Sequence, residues 1–334
     1  MHPTVSVIVP CYNEQATIGS LLTAVRGQTY PLDKLEVVIA DGLSEDGTRA
    51  AIAGFRKAHP AFEVRVVDNP KRTIPSGLNQ AIRQARGDIL VRLDAHSVPI
   101  PEYVERCVGA LKAGSGSNVG GVWKISAGGP GWMARGIAAA AAHPFGAGDA
   151  MYRLGGEARA VDTVPFGAFR RRLLEKIGGF DESLLTNEDY EFNVRIRRHG
   201  GLVWLDPQIC STYVARATLR DLARQYWRYG YWKYRMLERS PGSIRWRQAL
   251  PPLFVLALLG MIAVTPFWPP AAAGLVFAAG SYLLALLAAG LHMGWRGRDV
   301  VLAPGGMLAL ATMHFCWGVG FLASFLSGWF KRNG

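Results

Sequence analysis

Val5-Ser-Val-Ile-Val-Pro-Cys-Tyr-Asn-Glu14 opens the chain, and Leu35-Glu-Val-Val-Ile-Ala-Asp-Gly-Leu-Ser-Glu-Asp-Gly-Thr48 repeats its plan: a short apolar, β-branched run that ends in polar and glycine residues. Runs of this length and make-up predict strands. Two more follow at residues 62–67 and 89–93, each separated from the last by a stretch of helical composition. Strand and helix in alternation imply βαβ units and a mainly parallel sheet, and the nearly unbroken apolar character implies helices on both faces. In such a sheet ligands sit beyond the carboxyl ends of the strands. Asn13, Glu14, Asp41 and Asp94, all at strand ends, are the first candidate ligand-binding residues.

The two opening segments resemble the first motifs of the family 2 glycosyltransferases of the GT-A type. Where the family usually has a double Asp in the second motif, this chain has Ala40-Asp41. The resemblance implies a Rossmann-like GT-A domain whose loops hold a nucleotide-diphosphate sugar, with Pro10, Tyr12 and Glu14 lining base and ribose and Asp41 bonding uracil or its equivalent. An Asp accepts the imide N–H of a base, and Gly42 beside it lets backbone approach closely. Asp46 reads as a cap of the following helix.

Ser76-Gly-Leu-Asn-Gln-Ala-Ile-Arg-Gln-Ala-Arg-Gly-Asp-Ile-Leu-Val-Arg-Leu-Asp-Ala-His96 resembles the family's approach to its Asp-x-Asp metal motif, here Asp94-Ala95-His96. This version resembles that of succinoglycan-type exopolysaccharide glucosyltransferases. Strand alternation would put residues 94 and 96 on one face, so that both address one ion. The resemblance implies Mg²⁺ or Mn²⁺ held by Asp94 and His96, the imidazole favouring Mn²⁺. Lys71 and Arg72 are placed to steady the donor phosphates, or are solvated loop charges.

Gly178-Gly-Phe-Asp-Glu-Ser-Leu-Leu-Thr-Asn-Glu-Asp189 resembles the family's Gly-Gly-Phe-Asp turn and the Glu-Asp pair that starts the next helix. The resemblance makes Asp189 the base that deprotonates an acceptor hydroxyl in an inverting transfer, with Glu188 beside it on the acceptor. A place at a helix N-terminus would lower the pKa of Asp189 and also fits a cap. Gln225-Tyr-Trp-Arg-Tyr229 resembles a Gln-x-x-Arg-Trp element, which implies that Gln225, Arg228 and Tyr229 contact the acceptor or a diphosphate.

Half of the 334 residues are hydrophobic and the formal charge is +12. A basic balance suits nucleic acid, anionic lipid or a phosphorylated ligand. Nucleic acid is set aside, because the aromatic and basic residues between 219 and 247 stand directly before long apolar stretches. That stretch reads as interfacial helices, and residues 250–268, 271–293 and 305–329 each suit a membrane span of about 20 residues. Prolines 251, 252 and 266 weaken the first, so two or three spans are expected. The uncharged first link and the basic Trp295-Arg-Gly-Arg298 link place the latter inside. With no signal-peptide pattern at the start, the catalytic domain is expected in the cytoplasm and the chain in the cytoplasmic inner membrane. Four scattered cysteines suggest neither zinc nor disulfides. The Gly/Ser stretch 113–131 and the Ala/Gly stretch 134–148 read as mobile or shallowly packed connections.

The expected organisation is therefore a GT-A domain over 1–215, amphipathic helices over 216–248 and a membrane domain over 249–334. The expected function is transfer of a sugar, glucose from UDP-glucose with a β-linkage, to a lipid-linked saccharide at the inner leaflet. A polyprenyl-phosphate sugar synthase and a non-catalytic nucleotide-sugar sensor are the alternatives.

Overall fold

The computed structural model describes residues 2–333, with side chains through Trp329. The chain divides into two compact units, one of Met1–Lys124 with Met151–Tyr213, the other of Ile125–Ala150 with Val214–Gly334. Its strands are β1 (Val5–Cys11), β2 (Leu35–Asp41), β3 (Val64–Asp68), β4 (Ile89–Arg92), β5 (Val98–Pro99), β6 (Asn118–Ser126), β7 (Arg159–Ala160), β8 (Ala168–Arg170) and β9 (Val203–Val214). Its helices of two turns or more are α1 (Ile18–Arg26), α2 (Thr48–Ala58), α3 (Ile74–Gln84), α4 (Tyr103–Lys112), α5 (Trp132–Ala141), α6 (Glu188–Arg198), α7 (Leu219–Arg239), α8 (Trp246–Val264), α9 (Pro270–Gly297) and α10 (Leu302–Asn333).

In the first unit the sheet runs β3-β2-β1-β4-β8-β6-β9-β5, with β7 also on β9. Pairs β3–β2, β2–β1 and β1–β4 are parallel, which is the half the sequence anticipates. Beyond β4 the pairing turns antiparallel, so the sheet as a whole is mixed. Alternate side chains divide between two cores. Val7, Val9, Val37 and Val91 pack with α1 and α4 residues such as Leu21 and Val108, whereas Ile8, Val38 and Leu90 pack with Leu78, Phe192 and Ile196 from α3 and α6. Each such aliphatic side chain contributes about 1.5–3 kcal/mol on burial.

The Gly/Ser stretch is not a loose connection, since much of it is the strand β6. A Cβ on Gly120 would stand 2.3 Å from the Phe166 carbonyl oxygen, and one on Gly121 1.7 Å from that of Ile209. The glycines are there because neighbouring backbone comes too close for a side chain.

Among its described residues the second unit holds three helices long and apolar enough to cross a membrane, Trp246–Val264, Pro270–Gly297 and Leu302–Trp329. Large apolar side chains on them, such as Leu253, Phe277 and Leu284, are exposed, as expected where lipid and not water is the neighbour. Pro251 and Pro252 lie inside α8 without ending it. The Gln248 carbonyl, which Pro252 cannot bond, accepts instead from the Trp317 indole N–H at 3.0 Å. Small residues set the other contacts. A Cβ on Gly230 of α7 would lie 2.1 Å from the Trp317 oxygen of α10, and one on Gly136 of α5 2.6 Å from the Gly305 Cα. The Ala/Gly stretch is thus partly the helix α5, packed on α10 and tied by Arg135 to Asp299 at 2.6 Å.

Candidate active site

The strand order reverses between β1 and β4, the place where an open α/β sheet offers a crevice. Two loops of the first unit meet there. After β1, Asn13 takes the left-handed conformation at φ 54° and Glu14 reaches His96 in the loop after β4, with Oε1 to Nδ1 at 3.0 Å. Burial works against ionisation of Glu14, but hydrogen bonds from His96 and Thr17 more than offset it and hold its pKa below the usual value. Tyr12 is exposed, its ring covered by the Arg72 guanidinium at 5.3 Å. A Cβ on Gly42 would come within 3.0 Å of that ring, so glycine there makes room for the tyrosine. Pro10 is buried in β1, and a Cβ on Gly77 of α3 would meet it at 3.2 Å; it shapes the floor of the loop.

Asp41 ends β2. It is sealed from solvent, accepting from Arg49 Nε and from the backbone N–H and hydroxyl of Ser44. In this conformation it secures the loop after β2 and does not face a base directly. Asp46 accepts from the Thr48 N–H at 2.9 Å and so occupies one N–H at the start of α2, although the N-cap position itself is Gly47. Lys71 is exposed and pairs with Glu182 at 2.7 Å.

β4 ends at Arg92, and Asp94 to Ser97 form a turn closed by the Ser97 N–H on the Asp94 carbonyl at 2.9 Å. The strand alternation expected to align Asp94 with His96 is therefore absent, and a turn sets their directions instead. Arg92 is the residue sequence reasoning missed. It is buried, and one nitrogen, Nη2, lies 3.3 Å from Asp94 Oδ1 and 2.9 Å from Glu188 Oε1. The available signal was a cation inside an apolar strand, since charge is rarely buried without partners. Glu188, expected toward the acceptor, is spent on this pair, with side-chain exposure of 6 %.

Asn187 takes the N-cap position of α6 with φ 69° and makes no side-chain cap bond. Its left-handed turn aims Glu188 and Asp189 inward. Burial first, and then the Glu188 carboxylate, raise the pKa of Asp189 to about 7 against the opposing charge of Arg92. The lowering expected from the helix N-terminus is overridden. Asp189, Arg92, Asn118, Phe180 and Asn193 are among the residues that line a small cavity. Among the described residues of this unit, four that are not glycine have positive φ, namely Asn13, Leu43, Arg72 and Asn187, all in loops around the site. Such strain gathers where function over-determines the backbone.

Among the described residues no three His, Cys, Asp or Glu side chains form a metal-holding group. A hard cation of the Mg²⁺ or Mn²⁺ kind does not require such a group, because it uses one or two carboxylates and takes its other oxygens from phosphates and water. Asp94 fits: its side chain is 22 % exposed and one oxygen is engaged with Arg92.

Gln225, Arg228 and Tyr229 belong to the second unit. Gln225 Nε2 donates to the Tyr229 hydroxyl at 2.9 Å one turn on, and Arg228 is exposed. Arg220, Arg224 and Arg228, four residues apart and all exposed, form one stripe of α7, while Leu222, Tyr226, Gly230, Lys233 and Met236 are buried.

A family model described as Glycosyl transferase family 2 matches residues 6–178. The succinoglycan biosynthesis protein ExoA of Rhizobium meliloti (strain 1021) is 29% identical over 330 residues, 98% of this chain and 96% of that protein. Dolichyl N-acetyl-alpha-D-glucosaminyl phosphate 3-beta-D-2,3-diacetamido-2,3-dideoxy-beta-D-glucuronosyltransferase of Methanococcus voltae is 26% identical over 265 residues, 77% and 81% of the two chains. Among solved structures, the mannosyltransferase PcManGT of Pyrobaculum calidifontis, in complex with GDP-Man and Mn²⁺, superposes with a TM-score of 0.59 at 24% identity, covering 94% of this chain and 87% of that one. At that identity the likeness establishes the fold.

Proposed function

The chain belongs to glycosyl transferase family 2, and from that premise we propose that it transfers glucose from UDP-glucose, with inversion to a β-linkage, onto a lipid-linked saccharide in exopolysaccharide or cell-surface glycan assembly. The observation that carries the reading is the convergence, at one crevice, of the Glu14–His96 contact with Asp94, Arg92, Glu188 and a raised Asp189. A nearly full-length likeness to a succinoglycan biosynthesis protein supports the polymer class, and one to a dolichyl-linked glycosyltransferase supports a lipid-linked acceptor.

In this reading Tyr12, Glu14, Asp41 and Lys71 form the nucleotide side, with Pro10 beneath them. Asp41 acts through Ser44 and Arg49, or reaches the base once Ser44 turns away. Asp94 and His96 would hold the divalent cation, whose charge, when bound, favours departure of the nucleotide diphosphate. Asp189 takes the proton of the acceptor hydroxyl as that oxygen forms its bond to C1. The C1–O bond to the diphosphate breaks, its electron pair leaving with UDP. A carboxylate with pKa near 7 is well matched to this work at neutral pH. Gln225, Arg228 and Tyr229 serve the acceptor or its diphosphate, and the GT-A domain, α7 and the three spans divide the labour much as 1–215, 216–248 and 249–334. The spans anchor the enzyme in the cytoplasmic membrane with its site inside the cell, confining enzyme and lipid acceptor to one surface.

Incubating the purified protein with radiolabelled UDP-glucose, Mn²⁺ and membrane lipid extract tests this. Label passing into the organic-extractable fraction as a β-glucoside is expected; label that stays in water as free glucose would rule out the lipid-linked acceptor.

A further inference from the structure

Arg92 has an environment that a purely structural residue would not need. It ends β4 between Val91 and Leu93, both fully buried, where an apolar side chain would pack without cost. Its Nε and Nη1 are buried without a hydrogen-bond partner, and the Phe180 ring at 6.0 Å is the further neighbour of its charge. Leaving two donors unpaired by protein atoms in this way is unfavourable. What the side chain gains is the shared nitrogen Nη2, held by Asp94 in the turn after β4 and by Glu188 at the start of α6. Asp189 follows Glu188 directly and also feels the Arg92 charge. One guanidinium therefore links the carboxylate of the donor side to the helix start that carries the base.

We propose that Arg92 is a positioning residue for the transfer reaction: by sharing Nη2 between Asp94 and Glu188 it keeps the donor-binding turn and the base-bearing start of α6 in register. The proposal rests on the glycosyl-transfer reading given above. The Nη2 amino group points its two N–H bonds in directions fixed by the guanidinium plane, one for each carboxylate, and a lysine ammonium on a flexible stem has no such plane. Three carboxylates, Asp94, Glu188 and Asp189, surround the one guanidinium, so the cluster keeps an excess of negative charge that suits a divalent cation on Asp94.

The test uses full-length protein in detergent. For each variant it reads thermal melting, calorimetric binding of UDP with Mn²⁺, and kcat against pH with UDP-glucose and lipid extract. Arg92→Lys keeps the charge and loses the fixed plane that directs Nη2, so kcat is expected to fall about tenfold or more with the acid limb of the profile in place. Arg92→Met also removes the charge that opposes protonation of Asp189, so its acid limb is expected to move up by about one pH unit or more. If Arg92→Met does not fold, Arg92→Met/Glu188→Gln leaves no buried carboxylate without its partner at that pair. This double variant is then expected to turn over about tenfold or more slowly than Glu188→Gln alone.

A folded Arg92→Met with wild-type kcat and limb, or a double variant equal to Glu188→Gln, overturns the role of Arg92. Wild-type protein that neither binds UDP with Mn²⁺ nor turns over overturns the transferase reading and this proposal with it, a result visible before any variant is made.

Discussion

Asp189→Asn separates what the site does for catalysis from what it does to the fold. In the wild type the Asp189 pKa near 7 means that the base is about half ionised at neutral pH and about a tenth ionised at pH 6. The kcat profile should therefore lose about tenfold between its plateau and pH 6. The amide cannot take the proton, and a loss of about 10²–10⁴ in kcat at the plateau is expected. The effect on stability runs the other way. Folded Asp189 holds its proton more tightly than the unfolded chain, whose value is 3.8. The stabilisation this gives is complete below pH 3.8 and is lost as pH rises through about 7. The interval corresponds to at most about 4 kcal/mol by pH 8. Asparagine escapes that loss, so the variant should melt above the wild type at pH 8, with the difference shrinking toward pH 5. Differential scanning fluorimetry in detergent, run beside a UDP-release assay across pH 5.5–8.5, reads both effects. A flat profile between pH 5.5 and 8, or an Asn variant within tenfold of wild type, would refute Asp189 as the base.

Asp94→Asn is expected to raise the half-saturating Mn²⁺ concentration about tenfold or more, and His96→Ala to shift the preference from Mn²⁺ toward Mg²⁺, both read by titrating metal in the release assay. Trp317→Phe removes the donor that satisfies the Gln248 carbonyl beside Pro252 and should cost about 1–3 kcal/mol, seen as a lower melting temperature without change in KM for the donor. Gly230→Leu places a side chain where a Cβ alone meets the Trp317 oxygen at 2.1 Å; the expected outcome is loss of the monodisperse peak in fluorescence-detected size-exclusion chromatography, whereas Ala at the nearby Gly242, which has open space around it, should be tolerated better despite its φ of 77°.

Much of the first unit was legible because its strands and loops announce themselves locally. The strands β1 and β2 begin at Val5 and Leu35, where the quoted stretches begin, and the Glu-Asp pair does start a helix. Arg92 stands out locally as a cation inside an apolar strand, but its role escaped because the partner that gives it meaning is Glu188, 96 residues away. Asp189 was misjudged for a similar reason. The helix N-terminus is a local feature that lowers a carboxylate pKa, while burial and a neighbouring carboxylate, which prevail here, are tertiary. The turn after Arg92 displaced an argument that assumed the strand continued. Stretches 113–131 and 134–148 were opaque because glycine and alanine carry little amphipathic contrast; only close backbone neighbours, such as Ile209 for Gly121 and Gly305 for Gly136, explain them.

The most direct test of the central claim follows release of nucleotide diphosphate by the detergent-purified protein from UDP-, GDP- and dTDP-sugars, with Mn²⁺ or Mg²⁺ and with or without membrane lipid extract, beside Asp94→Ala and Asp189→Ala. Metal-dependent release from UDP-glucose, raised by the lipid extract and lost in both variants, is the predicted result. Binding of a nucleotide sugar without release under any condition would contradict it and leave the protein a sensor.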